Sequence, residues 1–592
     1  MNVLSSALRW GVTAALLLTA AAVAAERPNE SPIAILVNQL GCEPDGAKRV
    51  VVQVRDPAPD LPASFRVVTS SGRVAFSGKL QLRGRVHNGT PSDWGARYWT
   101  GDFSTLRTPG LYRIGVRAHS GDLFSFPFRI AKNLLLEKTA ADAVRFFFWQ
   151  RCGFAVPGVH AACHLDDAAL PEDLGGGHRD LTGGWHDAGD YSKNMIVGDT
   201  PLAVYALALL ARGSHGLAEV SRSAHQEAAW GADFMLKMWL RGAGETYCDV
   251  FSGLGYWGLP EKNTDSVSGT KDDRSVQFMP RAPRVKRAPS PLAAAAFAAL
   301  AGQAGGARYR EAAEDLWRGA VDGLGRNKVW LNDENPRYST LRATSELLLA
   351  DLELERLAAS KAYGDDSRRR AAYILAAQSA DGLWPANVCG HGLSPAALAL
   401  YAGSHPDEPL AEKARAALRA WLVRNLALAE NPFNITPWAE GVFFYPYEDP
   451  KAWYVGQNSQ YLSQAWALYL ASSLLHDSRA TALADRQLDW VLGANPLNVC
   501  MLEEHGSFNF PRYHHAFMAY RSLNKPGIPG YENGRIPGAI PNGLTRPKPE
   551  LDVPWGDFSE DQARAPAYQS TEPWLPHNCY YILALLARSG RS

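Results

Sequence analysis

Gly183-Gly184-Trp185-His186-Asp187-Ala188-Gly189-Asp190-Tyr191 sets two carboxylates three residues apart with only Ala and Gly between them. Small spacers let a ligand approach the backbone closely, and large aromatics flank the acids. As a bare pattern this is a solvated turn, because Asp and Gly are ordinary turn formers. As a functional pattern it presents two acids to one substrate. A carboxylate that takes a proton from water must be held rigidly and ionised, and a second acid alongside can share the hold on that water. What flanks the stretch decides between the two readings.

On both sides of it, from Lys132 onward, the apolar residues recur with a helical period. Candidate helices lie near 135–150, 198–213, 223–240, 290–304, 309–325, 340–358, 366–379, 393–403, 411–430, 457–476, 480–494 and 573–589. These twelve segments make six hairpins. AAAAFAALAG after Pro291 and LSQAWALYLASSLL after Tyr461 are apolar on all sides, as inner helices would be. REAAEDLWRGAVDGL and AEKARAALRAWLVRNLAL are amphipathic, as outer ones would be. Upstream, from Ile33 to Ile130, short alternating strands separated by turns predict a β-sandwich. Four long connections, from Arg151 to Asp199, Gly242 to Ser290, Asn431 to Asn458 and Ala494 to Glu572, are rich in Trp, Tyr, His, Asp and Pro. Loops of that length in a compact domain are usually functional or disordered, and this composition favours function.

GGWHDAGDYSKN, Gly183 to Asn194, resembles the aspartate loop of glycoside hydrolase family 9, the inverting cellulase family. The resemblance implies Asp190 as catalytic base, Asp187 as its partner on the water, and Glu572 in TEPWLPHNCYYILALLA, with Asn578 six residues on, as general acid. It also implies a mainly α fold, an (α/α)6 barrel over 133–590. VNQLGCEPDGAKRVVVQ and DFSTLRTPGLYRIGV resemble the immunoglobulin-like domain that precedes the catalytic domain in one branch of the family, here over 33–131 and expected to pack on the larger domain as a structural module. The function expected is inverting hydrolysis of a β-1,4-linked glucan or its oligosaccharides.

Read from the residues, Glu572 is also a plain helix-terminal carboxylate stabilised by the macrodipole. That would lower its pKa, so an acid role requires burial beside Trp574 to raise it. The sugar-contacting candidates are His514, Trp185, Tyr191 and Trp574. In the family, His-x-Arg after a Pro holds the sugar beside the scissile bond. Here Pro511-Arg512-Tyr513-His514-His515-Ala516 keeps His514 but puts Ala516 in the Arg slot, leaving Arg512 or Arg521 to fill it. Trp574 also replaces a small residue, and Trp555, Asp557 and Asp561 are candidates for the upstream aromatic and acidic positions. Three rivals remain. An exo-acting enzyme on glucosamine oligomers would need an acidic pocket, for which Glu503, Glu504 and Asp557 are candidates. A polysaccharide lyase would use Tyr513 and His514 in a basic cleft. A carbohydrate-binding protein would carry the same scaffold without turnover.

The chain has 592 residues, 46% hydrophobic and 20% charged, with Lys+Arg and Asp+Glu both 60, so no basic face for nucleic acid is expected. Eighteen Trp suit both a core and the apolar faces of sugar rings. Met1 to Ala25, with Arg9, an apolar run and Val23-Ala24-Ala25, reads as a secretory signal, giving a periplasmic or secreted protein. No later stretch is long and apolar enough to span a membrane. Seven scattered Cys (Cys42, Cys152, Cys163, Cys248, Cys389, Cys500, Cys579) are an odd number, and a chain of this size does not require a disulfide framework. Cys152, Cys163 and His164 form C-x10-C-H, which by spacing alone reads as two buried thiols and a core His before it reads as a metal site. The resemblance implies a structural zinc there, with His186 as fourth ligand and His178 and His160 as competitors. It also implies calcium, at no position the sequence identifies. No cofactor is needed for the chemistry. Asp272-Asp273-Arg274 reads as loop bracing before substrate contact.

Overall fold

The structure, a computed structural model, describes residues 31–590 apart from 57–62, 119–120, 158–159, 196–198, 215, 252–264, 271–272, 278–284, 326–329, 334–338, 359–360, 386–389, 446–455, 457, 517–535 and 560–566. The leader Met1–Ala25, Cys389, Asp272, Arg521 and Asp561 lie outside the described residues.

Two antiparallel-rich sheets form the N-terminal sandwich. One has the order β1 (Ile33–Leu36), β3 (Arg49–Arg55), β7 (Ala96–Asp102), β6 (Gln81–Gly84). The other runs β2 (Gly41–Cys42), β10 (Phe128–Ile130), β8 (Gly110–Ala118), β4 (Ser64–Thr69), β5 (Val74–Lys79), with β9 (Gly121–Phe124) on β8. Successive strand side chains face opposite ways. Val50, Val52 and Val54 of β3 therefore enter the sandwich core with Trp99 and Ile114, whereas Val51 joins the core of the helical domain with Leu36 and Tyr98. Burial on both faces is why Val50, Val51 and Val52 follow one another in β3 with no polar residue alternating between them. Polar contacts complete the join. Asn38 Nδ2 donates to Asp489 Oδ1 at 2.9 Å, Trp94 Nε1 to the Asp552 carbonyl at 2.8 Å, and Arg588 pairs with Glu43 at 3.1 Å.

Twelve helices follow among the described residues: α1 (Leu134–Trp149), α2 (Asp199–Gly213), α3 (Ala218–Met238), α4 (Pro291–Ala301), α5 (Arg310–Gly325), α6 (Thr340–Ala358), α7 (Lys361–Ala376), α8 (Leu393–Ser404), α9 (Pro409–Leu428), α10 (Asn458–Leu475), α11 (Ser478–Val491) and α12 (Leu575–Arg588). A single helical turn, Tyr568–Thr571, precedes α12. Each even-numbered helix packs on the next even one, and α12 closes back onto α2, so these six form a complete inner ring. Their sequences dictate the position. Pro291 to Leu300 and Asn458 to Ala471 are buried on every side, while α5 and α9 bury one stripe only. Pro291, Pro409 and Pro576 each sit in a first turn, where the missing N–H removes no helical hydrogen bond. The result is an (α/α)6 barrel preceded by an immunoglobulin-like sandwich. The loops entering α2 and α12, neighbours in the ring, carry the paired aspartates and Glu572. No helix among the described residues is long and apolar enough to cross a membrane.

Candidate active site

Gln150, the residue that ends α1, organises the aspartate loop. Its side-chain Nε2 donates to the carbonyls of Ala188 (2.7 Å) and His186 (3.0 Å), its own carbonyl accepts from the His186 N–H at 2.8 Å, and its Oε1 meets His515 Nε2 at 2.7 Å. Nothing in the local pattern marks Gln150, because its partners lie 36 to 365 residues away. Within the loop, Asp187 N–H bonds the Ser192 carbonyl at 2.9 Å, and Ser192 N–H donates to Asp190 Oδ1 at 2.8 Å.

The C-terminal pole docks directly on this loop. Gly189 O accepts from the Ala516 N–H at 2.5 Å, and a Cβ built on Gly189 would lie 2.1 Å from the His514 carbonyl and 3.0 Å from Glu572 Cγ. Only glycine lets the two segments approach this closely. Leu575 N–H bonds the Asp187 carbonyl at 2.9 Å, His514 N–H the Thr571 carbonyl at 3.2 Å, and Asn542 N–H the Glu572 carbonyl at 2.8 Å. Asp187, Asp190, Glu572, His514 and Trp574 are thus brought together. Trp574 packs on Ala188 with Tyr568 beside it and stacks on His577 at 5.7 Å; His514 is half-buried, its ring 5.9 Å from Tyr568.

Burial, then the Asp190 charge, pushes the Glu572 carboxyl well above its usual range, against hydrogen bonds from Trp574 and the Gly189 N–H. The macrodipole reading of Glu572 loses to desolvation because the side chain is 6% exposed and lies before Trp574, the N-cap of α12. Asp187 is also raised, by burial first and then by Asp190, Asp199 and Asp249.

Two expected sugar contacts are corrected. Trp185 is fully buried, edge-on to Phe147 at 5.5 Å and against Gly231 of α3, with Nε1 3.4 Å from Glu227. Tyr191 is 1% exposed and packs on the rings of His186 (5.0 Å) and His164 (5.1 Å). Neither ring has a free face for a sugar. Both are core residues that hold the loop from behind. Glu503 is likewise sealed in, and Asp557 spends its carboxylate on the N–H groups of Ser559 (2.9 Å) and Ala567 (2.7 Å).

Behind the loop, Cys152, Cys163, His164 and His186 bring one ligand atom each within 4.8 Å of one another, all four residues buried. Cys152 Sγ is 3.8 Å from His164 Nδ1 and Cys163 Sγ is 3.9 Å from His186 Nε2. A tetrahedral ion at ordinary bond lengths wants neighbouring ligand atoms roughly 3.3–3.8 Å apart, so the cluster fits a metal with slight contraction. Of the competitors, His178 Nε2 is taken by the Asp166 carbonyl at 2.7 Å and His160 Nδ1 by the Ala161 carbonyl at 2.6 Å. Burial opposes ionisation of Cys152. A hydrogen bond with Cys163 and the charges of Lys193 and Arg274 overcome it, bringing that thiol well below its ordinary value. Arg274 braces the region as expected, bonding Asp167 Oδ1 at 2.8 Å, the Cys152 sulfur at 3.1 Å and the Tyr191 carbonyl; Lys193 Nζ reaches Asp167 at 2.6 Å. Among the described residues this is the one group of His, Cys, Asp or Glu side chains placed to hold a metal.

A closed ring of six inner helices, six outer ones, and carboxyls facing each other between two loops at one end of the ring define a six-hairpin barrel protein of the glycoside-hydrolase kind. The family model for glycosyl hydrolase family 9 matches residues 137–585, and that for the cellulase N-terminal ig-like domain matches residues 30–120. The chain belongs to glycosyl hydrolase family 9. It is 33% identical over 176 residues to a cellodextrinase of Butyrivibrio fibrisolvens, a match covering 28% of this chain and 29% of that one. Against endoglucanase D of Acetivibrio thermocellus it is 28% identical over 171 residues, 27% of this chain and 25% of the relative. Both matches span less than a third of the relatives' lengths. The solved structure of a metagenome-derived glycoside hydrolase family 9 endoglucanase superposes with a TM-score of 0.68 at 21% identity, over 94% of this chain and 99% of the other.

Proposed function

We propose that the protein is an exported inverting glycoside hydrolase acting on a β-1,4-linked glucan or its oligosaccharides. The observation that carries this reading is the seating of Glu572 on Gly189 of the aspartate loop, with its carboxyl pushed up by burial and by Asp190. An acid that keeps its proton beside a base that has lost its own is what glycoside hydrolysis requires. In the inverting route the two carboxyls flank the scissile bond roughly 6.5–9.5 Å apart, leaving room for water. Glu572 would protonate the departing oxygen, Asp190 would take a proton from water on the opposite face, and Asp187 would share the hold on that water. His514 and Trp574 would line the sugar beside the scissile bond. Cys152, Cys163, His164 and His186 would hold a zinc ion that locks the loop from behind, with no step of the chemistry passing through it.

The acid excess around Asp190 speaks against a lyase, which needs a basic cleft for a uronate. Tyr513, its expected base, is fully buried. The test is a product time course on cellohexaose, with anomeric configuration read by NMR, for the wild type, Glu572→Gln and Asp190→Ala. Initial release of the α-anomer, abolished in both variants, is expected. Undiminished turnover in an Asp190→Ala, Glu572→Gln double variant would overturn the assignment.

A further inference from the structure

A cavity lies at the end of the inner ring away from the acids. The loops carrying Asp190 and Glu572 enter α2 and α12 at their N-terminal ends, whereas Arg212, in the last turn of α2, lies about 20 Å down that helix from Asp199. Arg356 near the end of α6, Ser404 at the end of α8 and Leu586 near the end of α12 line the same cavity as Arg212. Its volume is about 510 Å³, within the roughly 300–1,000 Å³ of small-molecule sites.

Mouth and floor differ in chemistry. At the mouth the Arg212 and Arg356 side chains are 33% and 42% exposed. Arg212 bonds the two Glu353 oxygens at 2.8 and 2.9 Å, Arg356 bonds Glu353 Oε2 at 2.7 Å, and His405 Nε2 meets Glu355 Oε1 at 3.1 Å. These groups satisfy one another and need no ligand. The floor is mostly apolar: Leu583 and Leu586 are each 1% exposed, and Tyr205 and Trp466 each 2%. Among the described residues neither the Tyr205 hydroxyl nor the Trp466 indole N–H has a hydrogen-bond partner, and neither atom is sealed off, so both open on the cavity. Burial first, then the Glu353 charge, raises the Tyr205 phenol well above its ordinary value, so its hydroxyl keeps the proton and can donate.

The helix ends gathered here present carbonyls, which disfavours an anion. The carboxylates already face Arg212, Arg356 and His405, so a cation finds no partner, and any charge on the leucine floor would go uncompensated. A sugar carries hydroxyls on every edge, and the leucines would leave most of them unsatisfied. What fits is a neutral ring whose apolar body lies on Leu583 and Leu586. Its one hydroxyl oxygen would accept from the Trp466 N–H, and the same hydroxyl would pair with that of Tyr205.

We propose that this cavity is a second ligand site, separate from the acid-bearing loops, and that it takes a neutral, mostly apolar ring compound with a single hydroxyl, of the phenol class. The proposal does not depend on which residues are acid and base.

The test is isothermal titration calorimetry of the full chain with p-cresol, with and without excess cellobiose, for the wild type, Tyr205→Phe and Leu400→Trp. Tyr205→Phe deletes only the hydroxyl and should raise Kd about fivefold. Leu400 is a half-buried lining residue, so Leu400→Trp fills part of the cavity and should abolish binding. The expected wild-type result is one saturable site per chain whose Kd is unchanged by cellobiose. Competition by cellobiose would overturn the proposal, because the ring would then share a site with a sugar. Binding unaltered in both variants would place the ligand elsewhere and overturn it as well, as would the absence of saturable binding to folded wild type.

Discussion

Two buried polar clusters share one loop and treat charge in opposite ways. On the inner side of Gly183–Asn194, the Cys and His ligands sit with Asp167, Lys193 and Arg274, and every charge there faces an opposite one. On the outer side, one residue along the chain from His186, the aspartates and Glu572 face mainly each other. Buried charges that are paired rigidify a structure; buried charges that are not paired store the free energy that a substrate or transition state releases. The balanced half is a foundation, and the unbalanced half is the one we propose to be reactive. Small residues Ala188 and Gly189 let the chain pass from one to the other within a few residues.

The difference is sharpest at the chemistry itself. If our assignment is right, Asp190→Ala or Glu572→Gln should lower kcat roughly a hundred- to ten-thousand-fold without lowering the melting temperature, because the variant removes an acid set among other acids and not a pairing. Steady-state kinetics beside a thermal melt would check this, and a matching collapse in stability would erase the contrast.

On the balanced side the pattern should invert. Arg274→Met leaves Asp167 with only Lys193 and should cost about 3–5 kcal/mol of stability, measured by denaturant unfolding. Metal analysis should find one ion per chain, lost in Cys163→Ser, with a chelator lowering the melting temperature of the wild type and not of that variant.

At the junction, Gly189→Ala forces the His514 carbonyl and Glu572 to move. A displacement near 1 Å at an acid costs about a hundredfold in rate. Kinetics should therefore report a large loss in kcat from a single methyl group, with far-UV circular dichroism unchanged.

The smallest effect is a pH dependence. The Asp249 carboxyl is raised in the folded state, so its contribution to stability is complete below the unfolded carboxyl range and declines as pH rises toward and through the folded value. Asp249→Asn should therefore melt like the wild type at about pH 4 and be more stable than it at higher pH. The gain should be about 1.4 kcal/mol for each pH unit until the folded value is passed. A gain that is constant across pH would mean that packing, not proton binding, sets the difference.

Much of this was legible in the chain. A helical period is a local property, and so the twelve segments, their inner or outer character and the strands from Ile33 to Ile130 follow from residues a few positions apart. The two acid-bearing motifs were likewise readable, since their small and aromatic neighbours are contiguous. Trp185 and Tyr191 misled because an aromatic beside an acid looks the same whether its ring faces a cleft or a core. Only the packing of Phe147, Gly231 and the His rings places them inside. Gln150 and Asp249 carried no local signal at all, because each acts on partners brought to it by the closed ring or by a strand pair formed across the loops.

By itself, then, the sequence determined the layers and the order of elements, because those depend on periodicity and on adjacency along the chain. The tertiary structure alone decided which acids act on one another, which cations are already spent elsewhere, and that Gly189 is the point of contact between two loops nearly four hundred residues apart. Burial and electrostatic coupling are properties of a volume, and a chain does not define that volume until its inner ring has closed.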